Sequence, residues 1–98
     1  MKTMQFMPQL KAYLKEHGLI YTVRKYSMSY AEVDIDGMLC KRIPLGKIES
    51  KEDLEPYAKE SGLDTVEAWW KKIKEINPGV KDLWLYKVER IQGGELYV

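Results

Sequence analysis

The sequence predicts a small α+β domain, in which a mixed or antiparallel β-sheet, or a partial β-barrel, carries about three helices packed outside it. Three observations support this class. Apolar residues recur at helical spacing in residues 64–77, two alternating segments flank the dipeptide Asp36-Gly37, and residues 83–91 form a long aromatic and aliphatic run. Ninety-eight residues suit a single domain, residues 1–98, with one core.

Composition narrows the class of protein. With 45% hydrophobic and 32% charged residues, the chain is typical neither of disordered nor of membrane-spanning sequences. The first eight residues lack the apolar segment of a secretory signal, and Cys40 is the only cysteine, so we expect a cytoplasmic protein without disulfides. One cysteine and one histidine predict no transition-metal site, and no cofactor motif is present. Abundant Lys and Glu, with three Gln and one Asn, are typical of a thermophile.

Two helices are predicted from their end signals. Pro8 suits the first position of a helix and Gly18 suits its end, which gives a helix over residues 8–17. Ser50 is expected to cap a second, short helix, because acidic residues follow it in the first turn. Gly62 closes that helix.

The third helix carries the strongest apolar stripe in the chain. Asp64 is expected to cap it, and the sequence Asn-Pro-Gly at residues 77–79 ends it. Trp69 and Trp70 lie about 100° apart around the helix, so both cannot occupy the centre of the buried stripe. The spacing leaves open which of the two lies at the rim. We assign Trp70 as the candidate whose exposed face stacks on a base.

The strand pattern predicts a hairpin and an interior strand. Residues 19–26 alternate, and Arg24 is expected on the exposed side of that strand. The two-residue turn Asp36-Gly37 fixes the hairpin register, with the opposed pairs Ile35–Met38, Val33–Cys40 and Ala31–Arg42. Residues 83–91 begin apolar on both faces, which predicts a covered strand, and residues 95–98 predict a short last strand.

Basic and aromatic side chains are grouped on neighbouring strand segments. Guanidinium and ammonium groups contact phosphates, and aromatic faces stack on bases, so the grouping predicts a site for RNA or a nucleotide-like ligand. The alternative is a solvated face whose charges are neutralised by acidic residues of the hairpin. The candidate site residues are Arg24, Tyr26, Lys41, Arg42 and Trp70.

The order of elements and four short segments resemble a known family. The segments are residues 17–24 (HGLIYTVR), 54–57 (LEPY), 61–70 (SGLDTVEAWW) and 83–88 (LWLYKV). Together they resemble the ASCH-type branch of the PUA-like superfamily over nearly the whole chain. The resemblance implies a small β-barrel with helices outside it, a ligand cleft beside the motif strand, and binding of RNA or modified bases.

The family signature, Gly-x-Lys-x-x-Glu-x-Arg, is matched only at its ends. Gly18 and Arg24 stand for its Gly and Arg with one residue missing between them, while Ile20 takes the Lys position and Thr22 the Glu position. Because the Lys and the Glu of the signature are both absent, we expect binding without catalysis and name no catalytic residue. Some relatives hydrolyse modified nucleosides, so the resemblance also implies an alternative hydrolase with Thr22, Arg24 and Tyr26 near its substrate. A third alternative is a protein-interaction module, a homodimer joined through a strand edge or a rim tryptophan.

Overall fold

A mixed five-stranded sheet organises the computed structural model, which describes residues 2–91. The predicted α+β class is confirmed. In chain order the elements are β1 (Lys2–Thr3), α1 (Pro8–His17), β2 (Leu19–Arg24), β3 (Ala31–Ile35), β4 (Met38–Ile48), a 3₁₀ helix (Lys51–Glu60), α2 (Val66–Ile76) and β5 (Leu83–Arg90). The strand predicted at residues 95–98 lies outside the described residues.

The sheet is open rather than barrel-like in residues 2–91. Its strand order is β1-β3-β4-β5-β2, so β1 and β2 form the two edges. The β1–β3 pair is parallel, and the other three pairs are antiparallel. The sequence allowed either a mixed or antiparallel sheet or a partial barrel, and the structure has a mixed sheet. No helix in this part of the chain is long and apolar enough to cross a membrane.

The β3–β4 hairpin has the predicted register. The three expected pairs are all present, and the turn residues have φ angles of 52° at Asp36 and 87° at Gly37. Positive φ at both positions is the type I′ geometry that matches strand twist. A bulge between Pro44 and Gly46 shifts the β4–β5 register, and β4 continues beyond it to Ile48.

Two apolar cores lie on opposite faces of the sheet. The first packs α1 against the sheet and consists of Met4, Leu14, Ile20, Val33, Ile35, Cys40 and Val88. The second lies under the 3₁₀ helix and α2 and consists of Val23, Ile48, Leu54, Trp69, Ile73, Leu83 and Leu85. The strand β5 contributes to both cores, which confirms the prediction of an interior strand covered on each side.

Helix ends follow the predicted signals with one correction. Gly18 ends α1 with φ of 78°, and its N–H donates to the carbonyl of Leu14. The prediction that Asp64 is the N-cap of α2 was wrong. The N-cap is Thr65, whose backbone is extended. Its Oγ1 accepts a hydrogen bond from the Ala68 N–H at 3.0 Å.

The expected exposure of Arg24 was also wrong, since this side chain is half-buried. Both faces of β2 are covered, with Ile20 in the first core and Val23 in the second. The N-terminal segment 4–7 adds to that cover. It leads from β1, a two-residue strand that the sequence pattern does not reveal, into α1.

Candidate functional site

A cleft of about 480 Å³ lies beside β2, between the N-terminal segment 3–7 and α2. β2 is an edge strand, so this side of it faces no other strand in residues 2–91. The walls are largely apolar and include Phe6, Leu10, Val23, Leu63, Trp69 and Ile73. Such a volume and lining are typical of a small-molecule site, where a few polar groups orient the ligand.

All charged side chains that line the cleft are cations. They are Arg24, Lys25, Arg42 and Lys72, and the lining residues in the described part of the chain include no Asp, Glu, His or Cys. The whole chain carries a net charge of only +1. Lys72 Nζ is paired with Glu75 Oε1 at 3.3 Å, and the other three cations give the cleft a positive charge that favours an anion there.

Arg24 is held at the cleft wall by the N-terminal segment. Its Nη2 donates to the carbonyl oxygen of Gln5 at 2.9 Å, and its guanidinium carbon lies 4.8 Å from the centre of the Phe6 ring. Within residues 2–91 it has no carboxylate partner within 4.0 Å. Burial, and then the positive charge of nearby Arg42, lower the pKa of Arg24. The charged guanidinium is thus less favourable here than in water, and a bound anion would reverse that effect.

Arg42 is more deeply buried, with 4% of its surface exposed. Its Nε and Nη2 both donate to the carbonyl oxygen of Ser29, at 3.3 and 3.0 Å. These two bonds use two of the five N–H groups of the side chain. No enclosed side-chain nitrogen or oxygen among the described residues lacks a hydrogen-bond partner. Arg42 also lines the cleft, and the three N–H groups outside these two bonds are the ones that a ligand there could engage.

Tyr26 stands at the mouth of the cleft with 63% of its surface exposed. The loop that carries it is fixed from below by the buried residue Tyr86. The Tyr86 hydroxyl donates to the Tyr26 carbonyl oxygen at 2.6 Å and accepts from the Met28 N–H at 2.6 Å. The backbone is held in place, while the Tyr26 ring is largely exposed and has Lys25 Nζ 5.3 Å from its centre.

The structure brings together three of the five residues predicted for the site. Arg24, Tyr26 and Arg42 line the cleft. Lys41 lies on the opposite face of the sheet, because neighbouring strand residues alternate, and its Nζ is 3.1 Å from Glu89 Oε1. Trp70 is half-buried against the second core and does not line the cleft.

Trp69, rather than its neighbour, lines the cleft, and it is 4% exposed. The expected asymmetry of the tryptophan pair is therefore present, with Trp70 at the outer position beside Lys74 Nζ, 5.0 Å from its ring.

Several cleft residues escaped the sequence interpretation. Lys72 follows Trp69 by three positions and so shares its side of α2, a spacing from which its place could have been found. The segment that supplies Gln5 and Phe6 has no periodicity, and nothing in its sequence indicates contact with Arg24.

The cysteine and histidine lie away from the cleft. Cys40 is fully buried in the first core, its thiol contacts the Met38 carbonyl oxygen at 3.7 Å, and burial raises its pKa. The His17 ring packs on Tyr13, with ring centres 4.1 Å apart. In the described range 2–91, no cluster of three metal-ligating side chains is present.

Comparisons with known proteins leave the family open. No family model, no curated protein and no solved structure matches this chain. The resemblance to ASCH-type domains remains a prediction, and function is inferred below from the chemistry of the cleft.

Proposed function

We propose that this chain is a non-catalytic binding domain for RNA or a nucleotide-like ligand, whose anionic group is held by Arg24 and Arg42. One observation carries the proposal. Two buried or half-buried guanidinium groups share a cleft that has no acidic side chain among its described lining residues. Charges removed from water are normally paired, because desolvation is costly. A phosphate would supply the missing partner, and arginine suits it through paired N–H donors.

The rest of the cleft suits a flat, weakly polar group attached to that anion. Phe6, Trp69 and Ile73 form apolar walls, and Tyr26 presents an exposed aromatic face at the mouth. Stacking of a base on an aromatic side chain contributes about 1–3 kcal/mol and tolerates different bases. A nucleotide combines both parts, a phosphate for the arginines and a base for the apolar walls.

Titration with a nucleoside monophosphate and with short single-stranded RNA at low salt tests the proposal. Loss of a charge-assisted hydrogen bond costs about 1.5–3 kcal/mol, so Arg24→Gln and Arg42→Gln should each weaken binding by roughly ten-fold or more. Lys41→Gln is the matched control, because it removes the same charge from the opposite face of the sheet. Its expected effect on affinity is less than about two-fold.

Thermal unfolding of each variant separates loss of binding from loss of fold. Arg42→Lys keeps the charge but loses the paired donors, so it should also weaken binding, and its unfolding temperature shows how much the lost bonds to Ser29 cost the fold. The proposal fails if no ligand binds at millimolar concentration, or if Lys41→Gln weakens binding as much as Arg24→Gln does. Turnover of modified nucleosides in the same samples would favour the hydrolase alternative.

A further inference from the structure

A second cavity shares part of its lining, including Arg42, with the cleft. Its volume is about 520 Å³, and its lining consists of Lys2, Thr3, Ser27, Met28, Ser29 and Arg42. Thr3, Met28 and Arg42 also line the cleft. Among these three shared residues, Arg42 is the charged one, so an anion in either cavity has its guanidinium within the lining.

The second cavity has the chemistry of an anion site. It combines two cations with three exposed hydroxyl side chains and has no acidic residue in its described lining. No carboxylate in residues 2–91 lies within 4.0 Å of Lys2 Nζ. Hydroxyl groups and ammonium groups are common donors to phosphate oxygens.

Arg42 is built to serve both cavities. The two bonds to the Ser29 carbonyl oxygen fix its guanidinium plane, so its orientation does not depend on a ligand. Three N–H groups remain for other acceptors. A rigid donor set of this kind can contact phosphate on one side while the adjoining group continues on the other.

From this arrangement we infer that the site is bipartite and takes a single-stranded oligonucleotide of at least two residues. One nucleotide occupies the cleft with its phosphate at Arg24 and Arg42, and the next lies in the cavity beside Lys2 and Ser27. The second cavity is wide open to solvent, so a ribose and base can extend beyond a phosphate held there, and a dinucleotide is the shortest ligand that would span both cavities. This inference rests on the proposed function and adds the length of the ligand to it.

The test compares three ligands at equal ionic strength: AMP, ADP and the 5′-phosphorylated dinucleotide pApA. A second set of contacts should make pApA bind at least about ten-fold more tightly than AMP. Each added phosphate contact should also steepen the dependence of log affinity on log salt by about 0.7. Lys2→Gln and Ser27→Asp should reduce the ratio of pApA to AMP affinity, since both alter only the second cavity. Both residues are exposed, so the folded state should tolerate either change.

Each outcome bears on one of the two proposals. Equal binding of AMP and pApA, or an affinity ratio unchanged in both variants, would overturn the bipartite site and leave the mononucleotide site standing. ADP binding as tight as pApA would show that the second cavity accepts phosphate alone, which also overturns the dinucleotide assignment. If neither AMP nor pApA binds, or Arg24→Gln has no effect on either, the proposed function itself fails.

Discussion

The hydroxyl of Tyr86, on the interior strand β5, lies 2.6 Å from the carbonyl oxygen of Tyr26, at the mouth of the cleft. The same hydroxyl accepts the N–H of Met28, so one phenol anchors the loop between β2 and β3 at two points. Because Tyr86 is 1% exposed, the phenol of this anchor lies in the core. The position of the cleft mouth is therefore determined by a side chain of the core.

Removing that hydroxyl should loosen the loop. Tyr86→Phe keeps the buried ring but leaves the Met28 N–H and the Tyr26 carbonyl without their partner, at an expected cost of about 1–3 kcal/mol in the free energy of unfolding. Urea denaturation measures this cost. Tyr30→Phe is the control, because Tyr30 is exposed and its loss of a hydroxyl should change stability by less than about 0.5 kcal/mol. Equal stability of the two variants would contradict the anchoring role.

Gly62 should be much less tolerant of a side chain than Gly79. Both have left-handed backbones, with φ of 83° and 75°, so alanine at either position costs roughly 1–2 kcal/mol. At Gly62 the added Cβ would also lie 2.6 Å from Leu10 Cδ2 and 3.3 Å from Ile20 Cδ1, whereas nothing lies within 4 Å at Gly79. Gly62→Ala should therefore lower the unfolding temperature more than Gly79→Ala does, as measured by thermal denaturation. The size of the difference shows how easily the Leu10 side chain can move away from the added Cβ. A Gly79→Ala variant as unstable as Gly62→Ala would show that packing at Gly62 is loose.

The start of α2 offers a test between neighbouring residues. Thr65→Ala removes the bond to the Ala68 N–H and should cost about 1 kcal/mol in stability. Asp64→Ala removes only a negative charge near the helix N-terminus, which should cost about 0.3–1 kcal/mol and less at high salt. Chemical denaturation in low and high salt distinguishes the two. A larger loss for Asp64→Ala at high salt would restore Asp64 as the cap.

Glu89 should make stability depend on pH below neutrality. Its carboxylate oxygens lie 3.1 Å from Lys41 Nζ and 3.4 Å from Lys87 Nζ, and the hydrogen bond from Lys41 is the main cause that lowers its pKa. A carboxyl whose pKa is lower in the folded protein stabilises it fully above its unfolded pKa, about 4.3. That stabilisation is lost as the pH falls through the folded-state pKa.

Glu89→Gln should accordingly reduce the unfolding temperature at pH 7 and have less effect at pH 3. The groups are partly exposed, so added salt should shrink the difference at pH 7. Scanning calorimetry of both proteins across this pH range measures it. A difference between the proteins that is constant from pH 3 to pH 7 would exclude the charge of Glu89 as its cause.

Local signals in the sequence predicted much of the fold. The Asp36-Gly37 turn determines the hairpin register, and Pro8 and Gly18 delimit α1, because turn and cap preferences act over a few residues. The β1–β3 pairing could not be predicted in the same way. It joins Lys2 to Val33 through a two-residue strand that is too short to show any alternation.

The site was predicted only in part, because some of its contacts come from segments that show no pattern in the sequence. Arg24 and Arg42 stand out as basic residues on strands, but the partner of Arg24 is a backbone carbonyl in a segment without periodicity. The hairpin register already placed Arg42 on the buried face opposite Ala31, and strand alternation then puts Lys41 on the other face. Grouping these two residues into one site overlooked that alternation.

Lys41 and Arg42 are neighbours on β4 and face opposite sides of the sheet. The hairpin turn at Asp36-Gly37 therefore determines which of the two lines the cleft, although the turn itself does not contact the cleft. Lengthening the turn by one residue, with the pairing of β3 and β4 shifted to match, would exchange the faces of Lys41 and Arg42. The guanidinium would leave the cleft, the ammonium of Lys41 would take its place opposite Ala31 without the paired donors, and no residue of the site would have been mutated. We therefore expect the length of this turn to be under stronger selection than its exposed position suggests. An insertion there should therefore abolish the proposed binding in a chain whose composition is almost unchanged.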